Sequence, residues 1–239
     1  MPPTLSVIVP AYNEAKTLPA LLDLVLASPV VSEVVVVDDG STDATGSVVA
    51  RYARDARVRT ASHERNRGKG AAIRTGIGLV TGEVVIVQDA DLEYDPADYG
   101  AILREFDDPS VSVVYGSRRL LGANPIAGLR FYLGGVTLTW LTNLLYGTRI
   151  TDEPTCYKAF RAGLLRSLPL SCEGFEFCPE VTALVALRGI AIREVPIHYA
   201  PRTAAEGKKI GARHWFEAVA TLVRLRFASR ERVRPLTGS

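Results

Sequence analysis

The stretch Val87–Pro96 (VQDADLEYDP) follows an apolar run, Glu83–Val87 (EVVIV), that has the composition of a buried strand. Asp89 and Asp91 stand two residues apart just beyond it, and alternate residues of an extended chain point to the same side. Packing does not require two neighbouring carboxylates, and like charges repel each other. The pair therefore predicts a nearby cation, a basic partner or an open solvent edge.

Apolar runs that end in polar residues recur through the first half of the chain. The predicted strands are Leu5–Val9, Val34–Val37, Val58–Thr60, Glu83–Val87 and Val111–Tyr115. The predicted helices are Glu14–Ala27, a segment from Thr42 or Asp43 to about Arg54, a segment after Gly70, and Pro96–Phe106. Because each strand is apolar throughout, the pattern predicts an α/β protein with a mostly parallel sheet and helices on both faces. Ligands of such sheets bind at the carboxyl ends of the strands.

The second half of the chain is less regular. Phe131–Thr148 carries no charge over 18 residues, a marginal length for a membrane span. Its glycines, threonines and Asn143 favour a helix that is buried or lies on a membrane surface. The segments that follow are a mixed region at Thr151–Leu168, a helix at Pro179–Arg188, a strand at Glu194–Tyr199, a polar loop at Pro201–Ala212 and a helix at His214–Ser229.

The composition excludes some classes of protein. The chain has 239 residues and a net charge of +2, which argues against a protein that coats nucleic acid. Its last 40 residues hold nine Lys and Arg against three Glu, which indicates an anionic ligand or surface near this end. A solvated helix face with a frayed tail is the alternative for the residues after Arg224.

The chain has three cysteines, an odd number: Cys156, Cys172 and Cys178. They match no common zinc spacing, and we interpret them as small apolar residues of a protein in a reducing compartment. The first strand begins by Leu5, which leaves no room for a targeting segment. We interpret the three histidines as structural: His63, His198 and His214.

Three other predicted strands also end in polar stretches, namely Pro10–Glu14 (PAYNE), Asp38–Asp43 (DDGSTD) and Asn66–Ala71 (NRGKGA). Carboxylates at these positions could accept hydrogen bonds from a base or ribose, and Tyr12 offers an aromatic face for stacking. Two carboxylates at the fourth strand suit Mg²⁺ or Mn²⁺, which proteins hold by one or two carboxylates plus substrate phosphates. Helix caps and turns are the plain alternative, but four strand ends in register are hard to explain in that way.

The stretch Asn66–Ala71 offers cations between glycines. Arg67 and Lys69 could bind a diphosphate, while Gly68 and Gly70 would allow close backbone approach. The stretch is not a P-loop, since it lacks the earlier Gly and the following Ser or Thr.

The stretches PAYNE, VVDDGSTD, NRGKGAA and DADLEYDP, in this order and spacing, resemble the family 2 glycosyltransferases with the GT-A fold, a Rossmann-like α/β fold. The later part resembles the branch of dolichol-phosphate mannose synthases and bacterial relatives that load sugars onto polyprenyl phosphate. The supporting stretches are YGSRR (Tyr115–Arg119), DEPTCYKAFR (Asp152–Arg161), GFEFCPEVTA (Gly174–Ala183) and EVPIHYAPRTAAEGKKIG (Glu194–Gly211). The resemblance covers about residues 5–228.

The resemblance implies roles for the donor-side residues. Pro10, Tyr12 and Glu14 would line the nucleotide pocket, and Asp38 or Asp39 would bind the base. Asp89 and Asp91 would hold the metal ion, with Asp91 at the catalytic centre. Glu93 stands where dolichol-phosphate mannose synthases often have Gln, and its carboxylate would be a further metal ligand that adds a charge.

On the acceptor side the resemblance implies that Arg118, Arg119 and Arg130 face a phosphate. Arg202, Lys208 and Lys209 would face the phosphates near the catalytic centre. If the acceptor is instead a hydroxyl group, a carboxylate base is required, and Asp152 is the candidate. A turn residue before Pro154 is the alternative interpretation of Asp152.

The sequence thus predicts an inverting, metal-dependent enzyme that transfers mannose from GDP-mannose or glucose from UDP-glucose to a polyprenyl or dolichyl phosphate. It would act at the cytoplasmic membrane face, in contact with the membrane through its own surface or a membrane-protein partner, and bind no nucleic acid. The alternatives are a transferase acting on a saccharide or small-molecule hydroxyl, a non-catalytic nucleotide-sugar-binding module and, less favoured, a nucleotidyltransferase.

We expect one catalytic domain at residues 1–230, followed by a disordered basic tail at 231–239. Residues 1–120 would bind the nucleotide sugar and residues 121–230 the acceptor. The loop Pro201–Gly211 has no large apolar anchor before Ile210, so we expect it to be mobile until donor and metal bind.

Overall fold

The computed structural model of the chain describes residues 3–126, 128–202 and 211–228. The strands are β1 Leu5–Ala11, β2 Val31–Asp38, β3 Val58–Ser62, β4 Val84–Val87, β5 Val113–Ser117, β6 Lys158–Arg161 and β7 Arg193–Pro196. The helices are α1 Leu18–Ala27, α2 Thr45–Tyr52, α3 Lys69–Ile77, α4 Tyr99–Arg104, α5 Leu129–Tyr146, α6 Ala162–Ser167, α7 Phe177–Leu187 and α8 Ala212–Phe227. Short 3₁₀ turns, Pro96–Asp98 and Glu105–Asp107, flank α4.

The strands form a seven-stranded sheet in the order β3-β2-β1-β4-β6-β5-β7 within the described residues. The sheet is parallel except at β6, which runs antiparallel to both β4 and β5. The predicted α/β fold with a mostly parallel sheet is therefore confirmed. Its central strands are buried on both faces, as every residue of β4 illustrates, and this burial explains their continuous apolar sequences.

Strand β6 is absent from the prediction, which left its residues inside a mixed segment. Its sequence, KAFR, carries a charge at each end. Lys158 is nonetheless buried, because its ammonium donates to the carbonyl of Glu153 and lies 3.8 Å from the centroid of the Tyr115 ring. These tertiary contacts offset the cost of burying the Lys158 ammonium. From the sequence pattern alone, Lys158 would be expected at the surface.

The register of the central strands places their carboxyl ends on the same side of the sheet. Ala11 of β1 pairs with Asp38 of β2, and Ile8 pairs with Val87 at the end of β4. Asp38 also pairs with Ser62, the last residue of β3. The polar stretches after β1, β2, β3 and β4 consequently meet at one edge of the sheet.

Helix α5 covers nearly the whole of the uncharged segment and ends at Tyr146, where it is capped by Gly147, whose φ of 68° suits glycine. Its Leu138 packs with Ala183 of α7 and with Ala218 and Leu222 of α8 in a small second core. None of the helices in the described ranges is both long and apolar enough to cross a membrane.

Candidate active site

A cavity of about 1260 Å³ opens at the edge of the sheet where the strand ends meet. Its lining includes most of the residues predicted to form the site: Pro10, Tyr12, Glu14, Asp39, Lys69, Asp89, Asp91, Glu93, Arg118, Arg119, Arg130 and Arg202. Residues from both halves of the chain thus share one cavity. Lys208 and Lys209 lie outside the described residues, as does most of the loop predicted to be mobile.

The two carboxylates after β4 each contact a basic side chain. Lys69 Nζ lies 2.5 Å from Asp89 Oδ1, and Arg202 Nη2 lies 2.8 Å from Asp91 Oδ2. Burial alone would lower the pKa of Lys69, but Asp89 raises that pKa well above its ordinary value. Burial, with the nearby Asp89 and Glu93 carboxylates, raises the pKa of Asp91 to about 6. A basic partner is therefore present at both carboxylates.

Glu93 does not join Asp89 and Asp91 in a three-carboxylate group. Its Oε2 accepts a hydrogen bond from the Tyr199 hydroxyl at 3.0 Å, and its Oε1 accepts one from the Arg202 backbone N–H at 2.8 Å. The turn between Asp91 and Glu93 depends on Leu92, which has a φ of 60°. Across the described ranges no three His, Cys, Asp or Glu side chains cluster closely enough to hold a metal ion.

Asp89 and Asp91 still fit a divalent cation. Both are partly exposed, line the cavity and supply hard oxygen ligands just beyond the end of β4. Mg²⁺ is commonly held by one or two carboxylates, with water and substrate phosphates as the other ligands. The predicted contribution of Glu93 has no such geometric support, because its oxygens face Tyr199 and the backbone of Arg202.

Asp39, rather than Asp38, faces the cavity. The Asp39 carboxylate accepts hydrogen bonds from the backbone N–H groups of Arg67 at 3.0 Å and Gly68 at 2.7 Å. It also lies 2.6 Å from Nδ1 of the partly buried His63. Asp39 thereby fixes the start of the loop that carries Lys69, in addition to any contact with a base. Asp38 instead accepts from the backbone of Ser41 in the turn after β2.

The glycines of the NRGKG stretch pack closely against protein backbone, and Gly68 also lines the cavity, so close approach of a diphosphate to this stretch stays a prediction. A Cβ atom on Gly68 would lie 2.3 Å from the carbonyl oxygen of Glu173, and Gly68 has a φ of 103°. The N–H of Gly70 donates to the Gly174 carbonyl at 3.1 Å. The first amides of α3 are therefore satisfied by the loop before α7.

The two cations of this stretch point in different directions. Lys69 faces the cavity, whereas the exposed Arg67 side chain lies outside its lining and pairs with Glu173 at 3.3 Å. The prediction that Arg67 binds the donor diphosphate is not supported by this placement. The backbone N–H of Arg67 donates to Asp39, while its guanidinium pairs with Glu173 at the protein surface.

Across the cavity, Arg118 forms a two-pronged ion pair with Asp152. Its Nε and Nη2 atoms each lie 2.7 Å from an oxygen of that carboxylate, and its backbone N–H donates to Asp152 as well. The guanidinium carbon lies 5.0 Å from the Tyr199 ring centroid and 6.0 Å from that of Tyr94. Two aromatic rings and a carboxylate therefore fix its position.

Asp152 itself is 0% exposed and is not part of the cavity lining. Burial alone would raise the pKa of Asp152, but Arg118 holds it below its ordinary value. A carboxylate that is buried, ion-paired and resistant to protonation suits the orientation of Arg118 better than proton abstraction. The alternative interpretation of Asp152, a turn residue before Pro154, is compatible with its ion pair to Arg118.

Arg119 and Arg130 lie toward α5. The guanidinium carbon of Arg119 lies 5.4 Å from the Tyr132 ring centroid, while Arg130 is exposed in the first turn of the helix. The three arginines predicted to bind an acceptor phosphate thus share the cavity. Only Arg118 is held by a buried carboxylate among the described contacts of the three.

Residues 6–167 match the family model of glycosyl transferase family 2. The chain belongs to this family. It is 31% identical over 234 residues to an undecaprenyl-phosphate mannosyltransferase from Micrococcus luteus, with 93% of this chain and 94% of the relative covered. It is 28% identical over 251 residues to a dolichyl-phosphate beta-glucosyltransferase from Dictyostelium discoideum, with 93% and 74% covered. These relatives bear the names of glycosyltransferases that act on polyprenyl phosphates, so the chain is a glycosyltransferase.

The fold of this family 2 glycosyltransferase is also that of solved structures. Glucosyl-3-phosphoglycerate synthase from Mycobacterium tuberculosis, in complex with UDP, superposes with a TM-score of 0.73 at 22% identity. The similarity covers 94% of this chain and 80% of the synthase. The expected GT-A fold is therefore confirmed.

Some residues of the glycosyltransferase cavity were not predicted. Cys156 and Cys178 line it, and Cys156 Sγ lies 3.8 Å from Lys69 Nζ. Burial raises the pKa of both thiols, which keeps them neutral. Tyr94 and Tyr199 hold Arg118, yet nothing in their local sequence distinguishes them from core tyrosines. The residues that were predicted stand next to strand ends or, like Arg130 and Arg202, were implied by the family resemblance.

The glycosyltransferase also exposes apolar side chains on α5 and α8, two helices that pack against each other. We call these side chains the apolar helix faces: Leu129, Leu133, Trp140 and Leu144 on α5, and Phe216, Val223 and Phe227 on α8. Exposed arginines at Arg213, Arg224 and Arg226 lie on the same helix as the second group. Clustered exposed apolar side chains of this kind mark interaction surfaces.

Proposed function

We propose that this glycosyltransferase is an inverting, metal-dependent hexosyltransferase that transfers a sugar from a nucleotide diphosphate to a polyprenyl phosphate. One observation carries the proposal: the carboxylates Asp89 and Asp91 and the oriented arginine Arg118 line the same cavity. A cation bound to the first group and an anion bound to the second would meet there. We further propose that residues 1–230 act as one catalytic unit with a donor half and an acceptor half.

On the donor side, Asp89 and Asp91 would hold Mg²⁺ or Mn²⁺ against the diphosphate. The ion would supply Lewis-acid stabilisation of the negative charge that develops on the leaving diphosphate. Lys69, already beside Asp89, would add a second positive charge. Pro10 and Tyr12 line the adjoining part of the cavity and would contact the nucleotide.

On the acceptor side, Arg118 would bind the phosphate with the N–H groups that its ion pair with Asp152 leaves available. A phosphate monoester arrives ionised, so catalysis rests on alignment and needs little help from a base. The engagement of Asp152 by Arg118 supports this acceptor over a hydroxyl group, which would need a base. Arg119 and Arg130 would enlarge the positive surface that the phosphate meets.

A lipid acceptor requires the enzyme to reach a membrane surface. The apolar helix faces, together with the arginines of α8, have the composition of an interfacial surface that binds anionic lipids. We propose that the protein associates peripherally with the cytoplasmic face of the membrane through these helices.

The donor base and sugar are best identified by assay, because the named relatives include both a mannosyltransferase and a glucosyltransferase. The protein would be incubated with GDP-mannose or UDP-glucose, a short-chain polyprenyl phosphate and Mn²⁺ or Mg²⁺. We expect release of one nucleoside diphosphate and transfer of labelled sugar into an acid-labile lipid, both abolished by a chelator.

Other outcomes would contradict the proposal. Labelled sugar in a water-soluble product would indicate a hydroxyl acceptor, and release of pyrophosphate would indicate a nucleotidyltransferase. Binding of nucleotide sugars without any release of nucleoside diphosphate would indicate a non-catalytic module.

A further inference from the structure

Arg202 contacts three carboxylates, one after β1 and two in the turn after β4. Its Nη2 lies 2.8 Å from Asp91 Oδ2, and its two Nη atoms each lie 3.3 Å from an oxygen of Glu14. Its backbone N–H donates to Glu93. The guanidinium therefore occupies the space between the strand ends of β1 and β4, inside the cavity.

Arg202 takes the oxygen of Asp91 that a metal ion would need. The other oxygen, Oδ1, accepts the backbone N–H of Glu93 at 3.2 Å, within the turn that Leu92 forms. A backbone contact inside a tight turn is harder to move than a side chain. A cation that approaches Asp91 therefore competes with Arg202 rather than with the backbone N–H of Glu93, since two cations on one oxygen repel each other.

We propose that Arg202 is an internal counter-ion of Asp91, which a divalent cation displaces, and that the displaced guanidinium moves onto the phosphates of the substrates. This inference rests on the proposed metal-dependent transfer. Glu14 would keep Arg202 within reach after displacement, because it contacts the same guanidinium from the segment after β1, the neighbour of β4. The Nε atom of Arg202 is buried without a hydrogen-bond partner among the described residues, which leaves one donor for an incoming oxygen.

Competition of this kind couples the metal to the donor. Without a diphosphate, the cation must break the contact between Arg202 and Asp91. It therefore binds more weakly than it would if Asp91 had no contact with Arg202. With a diphosphate, the displaced guanidinium gains a new anionic partner, and the same cation binds more tightly. The coupling is reciprocal, so each ligand strengthens the binding of the other.

The test measures Mn²⁺ affinity of the full chain without nucleotide, from the electron paramagnetic resonance signal of unbound Mn²⁺. We expect Arg202→Gln to bind Mn²⁺ roughly tenfold more tightly than the wild type, the effect of one partly buried charge contact. Arg74→Gln is the control, because it also removes one positive charge, but from α3, where Arg74 donates to the Ser171 carbonyl. It should change the Mn²⁺ affinity less than twofold, since salt screens the effect of a surface charge on a distant site.

Two further variants make the result decisive. Asp91→Asn should weaken Mn²⁺ binding strongly; unchanged binding would overturn both the metal assignment and the counter-ion role. If Asp91→Asn weakens binding while Arg202→Gln does not strengthen it, only the counter-ion role fails. Arg202→Lys retains a cation and should bind Mn²⁺ more weakly than Arg202→Gln, whereas equal affinities of the two variants would contradict the proposal.

The coupling is measured by repeating the titrations with GDP or UDP. Nucleoside diphosphate should increase the Mn²⁺ affinity of the wild type more than that of Arg202→Gln. An equal increase in both proteins would mean that Arg202 does not transfer to the phosphates and would overturn the second part of the proposal.

Discussion

At the scale of single residues, the buried ion pair of Arg118 and Asp152 has a structural task beside the acceptor-binding role that we propose for Arg118. Removal of the arginine leaves a carboxylate that is buried and without its cation. We expect Arg118→Met to lower the free energy of unfolding by about 3–5 kcal/mol, the usual cost of breaking a buried pair. Urea denaturation measures this change. The double variant Arg118→Met with Asp152→Asn should recover part of the loss; no recovery would mean that the pair is not the source.

The backbone of Leu92 lies in the left-handed region, at a φ of 60°. An L-residue there is about 1–2 kcal/mol less stable than in the right-handed region, and glycine avoids most of that cost. We expect the free energy of unfolding of Leu92→Gly to be at least that of the wild type. The relief of backbone strain should outweigh the loss of contacts made by the partly exposed leucine side chain. Leu92→Val, which is β-branched, should lower the free energy of unfolding by about 1 kcal/mol. Thermal or urea unfolding distinguishes the two, and the reverse order would contradict the expectation.

The sequence predicted the location of the cavity residues well, but it predicted their individual contacts poorly. Residues next to strand ends were predicted because parallel strands place their carboxyl ends at one edge. The side chain of Arg67 and the oxygens of Glu93 depend on turns whose shape is set by distant residues, namely Asp39 and Tyr199. Such long-range contacts leave no periodic signal in the sequence.

At the scale of elements, the loop between β3 and α3 is fixed by close packing against the loop before α7. We expect Gly68→Ala to lower both the free energy of unfolding and the affinity for nucleoside diphosphate, because its Cβ would overlap the Glu173 carbonyl and displace Lys69. Gly100→Ala is the matched control. Gly100 lies in α4 with no atom within 4 Å of a Cβ, so this change should raise the free energy of unfolding by about 0.5–1 kcal/mol.

Calorimetry for the nucleotide and urea denaturation for stability test both glycine variants. Normal binding and normal stability of Gly68→Ala would show that the loop can move away from Glu173, against the packing seen in the structure. A loss of stability in Gly100→Ala would contradict the helix assignment for this position.

The predictability of the strands has a physical cause at this scale. Strands buried on both faces, such as β1 and β4, have continuous apolar sequences; β4 was predicted to within one residue, and β1 begins as predicted but ends two residues later, at Ala11. Strand β5 begins two residues later than predicted, because Val111 completes a turn with Asp108. Strand β6 was missed because its buried lysine depends on partners elsewhere in the chain, Glu153 and Tyr115.

At the scale of the whole molecule, the cavity extends from the strand ends to residues of α5 and α8. The sequence indicated an uncharged helix at α5, but it gave no indication of which side would be covered. Apolar residues occur all around this helix, and the contact with α8 covers only one side. The remaining side contributes to the apolar helix faces, next to the arginines expected to bind the acceptor phosphate.

If these faces bind a membrane, a carboxylate placed on them should release the protein from lipid. Trp140 and Phe227 are 63% and 77% exposed and lie outside the cavity lining, so their substitution should spare the chemistry. Each large apolar side chain contributes about 1.5–3 kcal/mol when it is buried in an apolar phase. We expect Trp140→Glu and Phe227→Glu each to lower binding to vesicles containing anionic lipid by at least about tenfold.

Flotation or sedimentation with vesicles measures this effect, and turnover with a short-chain, water-soluble acceptor should remain close to that of the wild type. Leu24→Glu is the matched control, because Leu24 is an exposed leucine, at 51%, on α1 at a different part of the fold. It should bind vesicles as the wild type does. An equal loss of vesicle binding in all three variants would indicate a general effect of added negative charge. Wild-type vesicle binding in all three would mean that the apolar helix faces do not bind lipid and contact another partner.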